Sequence, residues 1–197
     1  MNKKLKISLI VIAAIVVITL SVYGFKKIRY NIMRGKETFV PSASGNNYFS
    51  LEEMQYSATA VKEGIPNVAP PEAVENLKLL IKNILNPLRE AMGEPVYVTS
   101  GYRSKKLDEA VGGAGGQHLT GQAADITLGN KKDNKRLWDW LIRQNRFDQI
   151  IWEKGDGSPT TGTYPDWVHV SYSEPKKFAT TNPNRKLWYS GTNYNYA

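Results

Sequence analysis

Hydrophobic and polar positions divide the chain into three parts. Residues 7–25 form an apolar run of nineteen residues without a formal charge, and a helix needs about 20 apolar residues to cross a bilayer. Residues 37–48 are rich in small and polar side chains, as is typical of a linker. Apolar residues then recur at helical or strand spacing. The pattern predicts a transmembrane helix within an anchor over 1–36, a linker over 37–48 and one folded domain over 49–197.

A cleaved secretory signal is the alternative interpretation of the apolar run. Such signals have an apolar stretch of about 7 to 15 residues followed by a small-x-small cleavage site, and residues 21–24 match such a site poorly. An uncleaved anchor is therefore favoured. Three lysines precede the run and five basic residues follow it, so the positive-inside rule leaves the orientation of the anchor open.

Helical signals come first in the folded domain. Ser50 and Glu53 form a capping box, which predicts a short helix from Leu51. The segment 70–72, Pro-Pro-Glu, predicts the start of a second helix, and Pro87 is predicted to bend or end it. Helical spacing gives this second helix an apolar face made of Val74, Leu77, Leu80, Ile81, Ile84, Leu85 and Leu88.

Strand signals dominate the second half of the domain. Short apolar or alternating segments predict strands at 96–98, 123–128, 148–152 and 167–172, with a helix over 133–144 between them. Helices that mostly precede short strands indicate an α+β fold, a small antiparallel sheet backed by helices. The tyrosine-rich tail that follows has no pattern that we can assign.

Charge and composition narrow the function. The net charge of +8 comes entirely from residues 1–36, which hold eight basic and no acidic residues, whereas residues 37–197 hold 18 of each. The folded domain is therefore neutral overall, and it lacks the excess positive charge expected of a domain that binds nucleic acid. There is no cysteine, which excludes disulfides, thiolate metal sites and a cysteine nucleophile.

Two segments carry candidate metal ligands. Asp125 lies inside the apolar strand AADIT, seven positions after His118. A buried carboxylate is costly unless a cation faces it, so the partner is a metal ion or an arginine, unless the side chain points to solvent. His169 lies in a second apolar strand, three positions after Asp166. Two histidines and one aspartate leave a fourth zinc position free for water, as in catalytic sites.

These segments belong to four ordered motifs that resemble the zinc D-alanyl-D-alanine carboxypeptidases and related peptidoglycan endopeptidases. The resemblance extends from about Tyr48 to about Tyr172. One departure is that Gly116 stands where the family pattern has serine. The motifs are SGYRS at 100–104, QHLTGQAAD at 117–125, FDQIIWE at 147–153 and DWVHVSY at 166–172.

The resemblance implies roles for individual residues. Asp166 would be the general base that takes a proton from the attacking water and returns it to the leaving amine. Arg103 would stabilise the oxyanion or hold a carbonyl or carboxylate of the substrate. Glu153 could orient a histidine ligand, line the substrate cleft or only end a strand. Zn²⁺ would be bound by His118, Asp125 and His169.

The expected function is zinc-dependent hydrolysis of an amide bond in peptidoglycan stem peptides, by a membrane-anchored domain that lies outside the cytoplasm. The motifs leave open whether the enzyme is a carboxypeptidase or an endopeptidase. A catalytically inactive cell-wall-binding module is the alternative. It is suggested by Gly116, the position at which the chain departs from the family pattern. A serine hydrolase based on Ser100 or Ser171 is disfavoured because the chain has no Gly-x-Ser-x-Gly elbow.

Overall fold

A computed structural model describes residues 42–46, 48–113, 115–153, 164–174 and 186–189. They belong to the second of two compact units, Phe39–Ala197. Within them, no helix combines the length and apolarity required to cross a membrane. The predicted transmembrane segment and half of the predicted linker lie outside the described residues.

Short helices form the first half of the domain. The predicted capping box is present, because Ser50 Oγ accepts a hydrogen bond of 3.0 Å from the Glu53 backbone N–H. It begins only a single turn of 3₁₀ helix, Glu53–Gln55, which is followed by α1 at Ala58–Glu63. The second predicted helix starts at Pro71, as the Pro-Pro-Glu signal indicated.

This second helix does not end at Pro87. Helix α2, Pro71–Leu80, continues into a π-helical turn, Ile81–Leu85, and then into α3, Asn86–Met92. Proline cannot donate the usual i→i−4 hydrogen bond, and its ring crowds the preceding turn. The wider π turn ends at Leu85, two residues before the proline. The chain stays helical through Pro87, so the predicted early end of the helix does not occur.

In the described part of the chain the sheet has five strands, which are β1 at Tyr97–Ser100, β2 at Ala123–Thr127, β3 at Gln149–Glu153, β4 at Trp167–Ser171 and β5 at Lys186–Tyr189. Their order in the sheet is β1-β2-β4-β3-β5. The first four pair antiparallel, as predicted. The fifth pairs parallel with β3 and lies in the tail that the sequence left unassigned, so the sheet is mixed at this edge.

Two further helices complete the described part of the domain. Helix α4, Lys105–Ala110, follows β1, and α5, Lys131–Gln144, lies between β2 and β3. Helix α5 starts two residues before the predicted position, because Asn130 caps it by accepting from the Asp133 backbone N–H. The α+β class predicted from the order of elements is therefore confirmed for the domain.

The hydrophobic core lies on one face of the sheet. Side chains alternate between the two faces of a strand, and the alternate positions beginning at Ala124 in β2, Val168 in β4 and Ile150 in β3 are buried with the helices in one cluster. Trp138 of α5 meets Trp152 of β3 edge to face, with ring centroids 5.4 Å apart. The positions between them, including 125 and 169, therefore point to the opposite face.

Candidate metal centre

The opposite face of the sheet brings Asp125 and His169 together. They are direct cross-strand partners in the antiparallel pair of β2 and β4, and partners in such a pair present their side chains on the same face. Both are buried, at 7% and 6% exposure. This excludes the interpretation of Asp125 as a solvent-facing residue.

His118 approaches the same point from a turn. Its carbonyl accepts the backbone N–H groups of Arg103, at 3.1 Å, and Gly121, at 3.3 Å. Its ring is oriented by the Gly101 carbonyl, which lies 2.7 Å from His118 Nδ1. A carbonyl can only accept, so Nδ1 carries the hydrogen and Nε2 presents its lone pair to the interior.

His169 is oriented in the same way by Gln117. The amide oxygen of Gln117 lies 3.3 Å from His169 Nε2 and accepts its hydrogen, which leaves the lone pair on Nδ1. Gln117 lies within a predicted motif, but no local pattern indicates that its side chain contacts the second histidine. It is a functional residue that sequence reasoning missed.

Three acceptor atoms therefore face one another. His169 Nδ1 lies 2.9 Å from Asp125 Oδ1 and 3.2 Å from His118 Nε2, and His118 Nε2 lies 3.3 Å from Asp125 Oδ1. Two lone pairs and a carboxylate oxygen repel each other in a buried site unless a cation lies among them. The arrangement requires a proton or a metal ion.

The spacing fits a tetrahedral metal ion. Ligand atoms bound at about 2.1 Å in a tetrahedron lie about 3.4 Å apart, close to the three observed distances. The three residues form a group in which one ligand atom of each lies within 4.8 Å of the others. The structure thus brings together the three side chains that the sequence singled out, in a geometry that a zinc ion can occupy.

The second oxygen of Asp125 is held by Arg103. Arg103 Nη2 donates to Asp125 Oδ2 at 2.8 Å, and the guanidinium also donates to Ser100 and Asp108. A proton among these atoms has the same effect as a cation: burial by itself would raise the pKa of the Asp125 carboxyl, but hydrogen bonds donated by His118 and His169 in their protonated forms outweigh burial and hold that pKa well below its usual range. Asp125 is therefore ionised at neutral pH.

Arg103 is thus placed behind the candidate metal site, against its carboxylate. Three of its five N–H groups are used in the bonds to Ser100, Asp108 and Asp125. Of the two cations suggested for Asp125, the arginine faces Oδ2, and Oδ1 faces the point where a metal ion would bind. The predicted contact of Arg103 with substrate stays a prediction.

Asp166 lies at the entrance to β4 and is not a member of the three-residue group. Its backbone is fixed, because its N–H donates to the Glu153 carbonyl at 2.9 Å and its carbonyl accepts from Asn134 at 2.8 Å. Its carboxylate lies 2.5 Å from the Lys131 ammonium, whose side chain is 66% exposed. Glu153 is the last residue of β3, and its other suggested roles stay predictions.

The Gly101 backbone positions His118 through a close approach that no other residue permits. A Cβ at this position would lie 2.9 Å from the Met54 carbonyl carbon and closer still to its oxygen. We expect G101A to lower the free energy of unfolding by about 1–3 kcal/mol, as overpacking does, and to weaken metal binding by shifting the carbonyl that orients His118. Denaturant unfolding and chelator competition measure the two effects, and unchanged values of both would contradict this account.

The fold and the ligand set define a class of protein. It is an α+β domain with a candidate mononuclear metal site of two histidines and one carboxylate. Three protein ligands leave a fourth tetrahedral position for water or substrate, which is the arrangement of catalytic rather than structural zinc sites.

The chain belongs to the peptidase M15 family, whose model matches residues 47–171. The match contains all three candidate ligands together with Arg103 and Asp166. It confirms the resemblance to the zinc D-Ala-D-Ala carboxypeptidase type. The family is zinc-dependent, and membership indicates peptidase activity. A comparison with curated proteins gave no match.

Proposed function

We propose that this protein is a zinc-dependent peptidase that hydrolyses an amide bond in peptidoglycan peptides. One observation carries the proposal: His118 Nε2, Asp125 Oδ1 and His169 Nδ1 converge with their acceptor sites facing a common point. These three residues would hold the ion. Zinc bound there supplies Lewis-acid chemistry, polarising a peptide carbonyl and lowering the pKa of water to about 7.

Asp166 is the residue proposed to move protons. Its carboxylate accepts a proton from the attacking water and returns it to the nitrogen of the leaving group. The leaving group therefore departs as a neutral amine and not as a strongly basic amide anion. The partner of this carboxylate, Lys131, has an exposed side chain on the first turn of α5. Although Asp166 is only 30% exposed, Lys131 is largely exposed, and ion pairs that solvent screens are worth about 0–1 kcal/mol. A substrate that offers Asp166 a comparable partner can therefore displace the lysine.

Several features support a cell-wall substrate and an outside location. The four motifs match a family pattern that includes peptidoglycan peptidases, and the domain after residue 36 has balanced charge. The apolar run at 7–25 would tether the domain to the membrane. A tether of this kind suits a substrate that is itself fixed in the wall outside the membrane. A terminal D-alanine and an internal cross-link are both compatible with the site.

A cell-wall-binding module without turnover is the second candidate. Its support is Gly116, which replaces the serine of the family pattern and has a φ of 108°. A serine in this left-handed region would be strained, so the local backbone, as well as the side chain, differs from what the pattern predicts. The metal ligands are retained, which favours the peptidase.

A single experiment separates the two candidates. The full-length protein is incubated with cross-linked muropeptides and with a defined stem pentapeptide, with and without chelator, and products are identified by mass spectrometry. We expect cleavage that chelator abolishes and added Zn²⁺ restores. Binding without any product would favour the module, and cleavage by metal-free protein would exclude the zinc peptidase.

A further inference from the structure

Asp108 is a buried carboxylate outside the proposed ligand set. It lies on α4 at 4% exposure, and both of its oxygens accept hydrogen bonds. Oδ1 accepts from Arg103 Nη1 at 3.2 Å, and Oδ2 accepts from the Gly115 backbone N–H at 2.9 Å. A carboxylate is kept away from water only where such partners compensate for its lost hydration. The hydrogen bonds with Arg103 and Gly115 therefore fix the position of the Asp108 carboxylate.

The first partner connects Asp108 to the candidate metal site. Arg103 lies between two carboxylates, with Nη1 on Asp108 and Nη2 on Asp125. The guanidinium is a rigid planar fork, so fixing one of its nitrogens restricts the direction of the others. Asp108 thus determines how Arg103 meets Asp125 Oδ2, and hence how Asp125 Oδ1 is turned towards the two histidines.

The second partner, Gly115, connects Asp108 to the loop that carries Gln117 and His118. Gly115 lies two residues before Gln117, which orients His169, and three before His118. Gly113 also donates from its backbone to the Asp108 carbonyl at 2.7 Å. A Cβ at Gly113 would lie 2.5 Å from Asp108 Oδ2 and closer to Oδ1. The glycine is therefore needed to leave room for this carboxylate.

We propose that Asp108 is a positioning residue of the metal centre, which aligns Asp125 through Arg103 and fixes the loop bearing Gln117 and His118. The inference rests on the proposed function, because it assumes that the site holds a metal ion. Outer partners of metal ligands act in this way, and their loss typically lowers metal affinity or activity by about 10- to 100-fold.

The test measures Zn²⁺ affinity of the full-length protein by chelator competition, together with kcat and KM on a stem peptide. We expect D108A to weaken Zn²⁺ binding by about 10- to 100-fold, and D108N, which keeps one acceptor oxygen, to have a smaller effect. G113A should resemble D108N, because it displaces the same carboxylate without changing any charge. The control is E109Q, which removes an exposed carboxylate from the neighbouring position of α4 and should change nothing.

A double-variant comparison distinguishes positioning from general support of the fold. Because part of the effect of Asp108 passes through Arg103, D108N combined with R103Q should lose less Zn²⁺ affinity than the sum of the two single losses. Strictly additive losses, or an affinity of D108N and G113A within twofold of the unsubstituted protein, would overturn the inference. Should D108A fail to fold, D108N and G113A decide the question.

Failure of the proposed function would look different. In that case the unsubstituted protein itself would show neither Zn²⁺ binding nor chelator-sensitive cleavage. The inference about Asp108 is contradicted only where the unsubstituted protein binds Zn²⁺ and the variants bind it equally well.

Discussion

Replacing Asp125 or His118 by alanine is expected to abolish metal binding and peptide hydrolysis together. Each variant removes one of only three protein ligands, and two ligands do not hold an ion in tetrahedral geometry at physiological concentrations. D125A should also lower the free energy of unfolding by about 3–5 kcal/mol, because it takes a buried partner from Arg103. H118A leaves the pair of Asp125 and Arg103 intact and therefore tests metal binding with less loss of stability. Metal content by elemental analysis and product formation by mass spectrometry are the measurements.

Asp148 provides the matched control for Asp125. It is also a buried carboxylate, at 6% exposure, and it accepts a hydrogen bond of 2.7 Å from Ser173. D148A should destabilise the domain and leave metal content unchanged. A protein with H118A or D125A that retains both bound metal and hydrolysis would refute the proposed centre.

Replacing Asp166 by asparagine has the second largest expected effect, and it should separate chemistry from metal binding. The amide has nearly the shape of the carboxylate but cannot accept a proton at neutral pH. We expect kcat to fall by about 10²- to 10⁴-fold, the usual contribution of general acid–base catalysis. Zn²⁺ content should stay that of the unsubstituted protein, because Asp166 is not among the ligand atoms that converge.

The control for D166N is D139N. Asp139 forms an ion pair with Lys135 on the surface of α5, so it resembles the pair of Asp166 and Lys131 without lying at the start of β4. D139N should leave kcat and KM unchanged. A D166N protein with normal kcat would show that another group transfers the proton.

The metal site could be predicted because two of its ligands lie in strands and the third lies in a turn just before one of them. Asp125 and His169 each sit at the centre of a short apolar strand, and a charged or polar residue in such a strand signals a buried partner. The antiparallel register then makes them direct neighbours. His118 lies in the turn just before β2, so a short connection is enough to place it near Asp125. Local patterns therefore singled out these three positions as candidates, and the family resemblance assigned them to zinc.

The rest of the centre depends on contacts that no local pattern encodes. Asp108 reads as an ordinary polar residue of a short helix, and its burial follows only from where Arg103 and Gly115 lie. Gln117 acquires its role from a strand 52 residues away. Asn134 bridges the end of β2 and the start of β4, while β5 pairs with β3 across a long stretch of chain. Tertiary packing assigns these roles, so propensity and periodicity could not.

The ligands are divided between parts of the fold with different resistance to opening. Asp125 and His169 belong to strands with neighbours on both sides, and we expect their amide hydrogens to exchange with solvent only on global unfolding. The turn that carries His118 lies outside the sheet, and segments of this kind commonly open locally at lower free energy. We therefore expect a bound ion to leave by displacement of this one turn while the sheet remains paired. Its removal and return would then require no refolding of the domain.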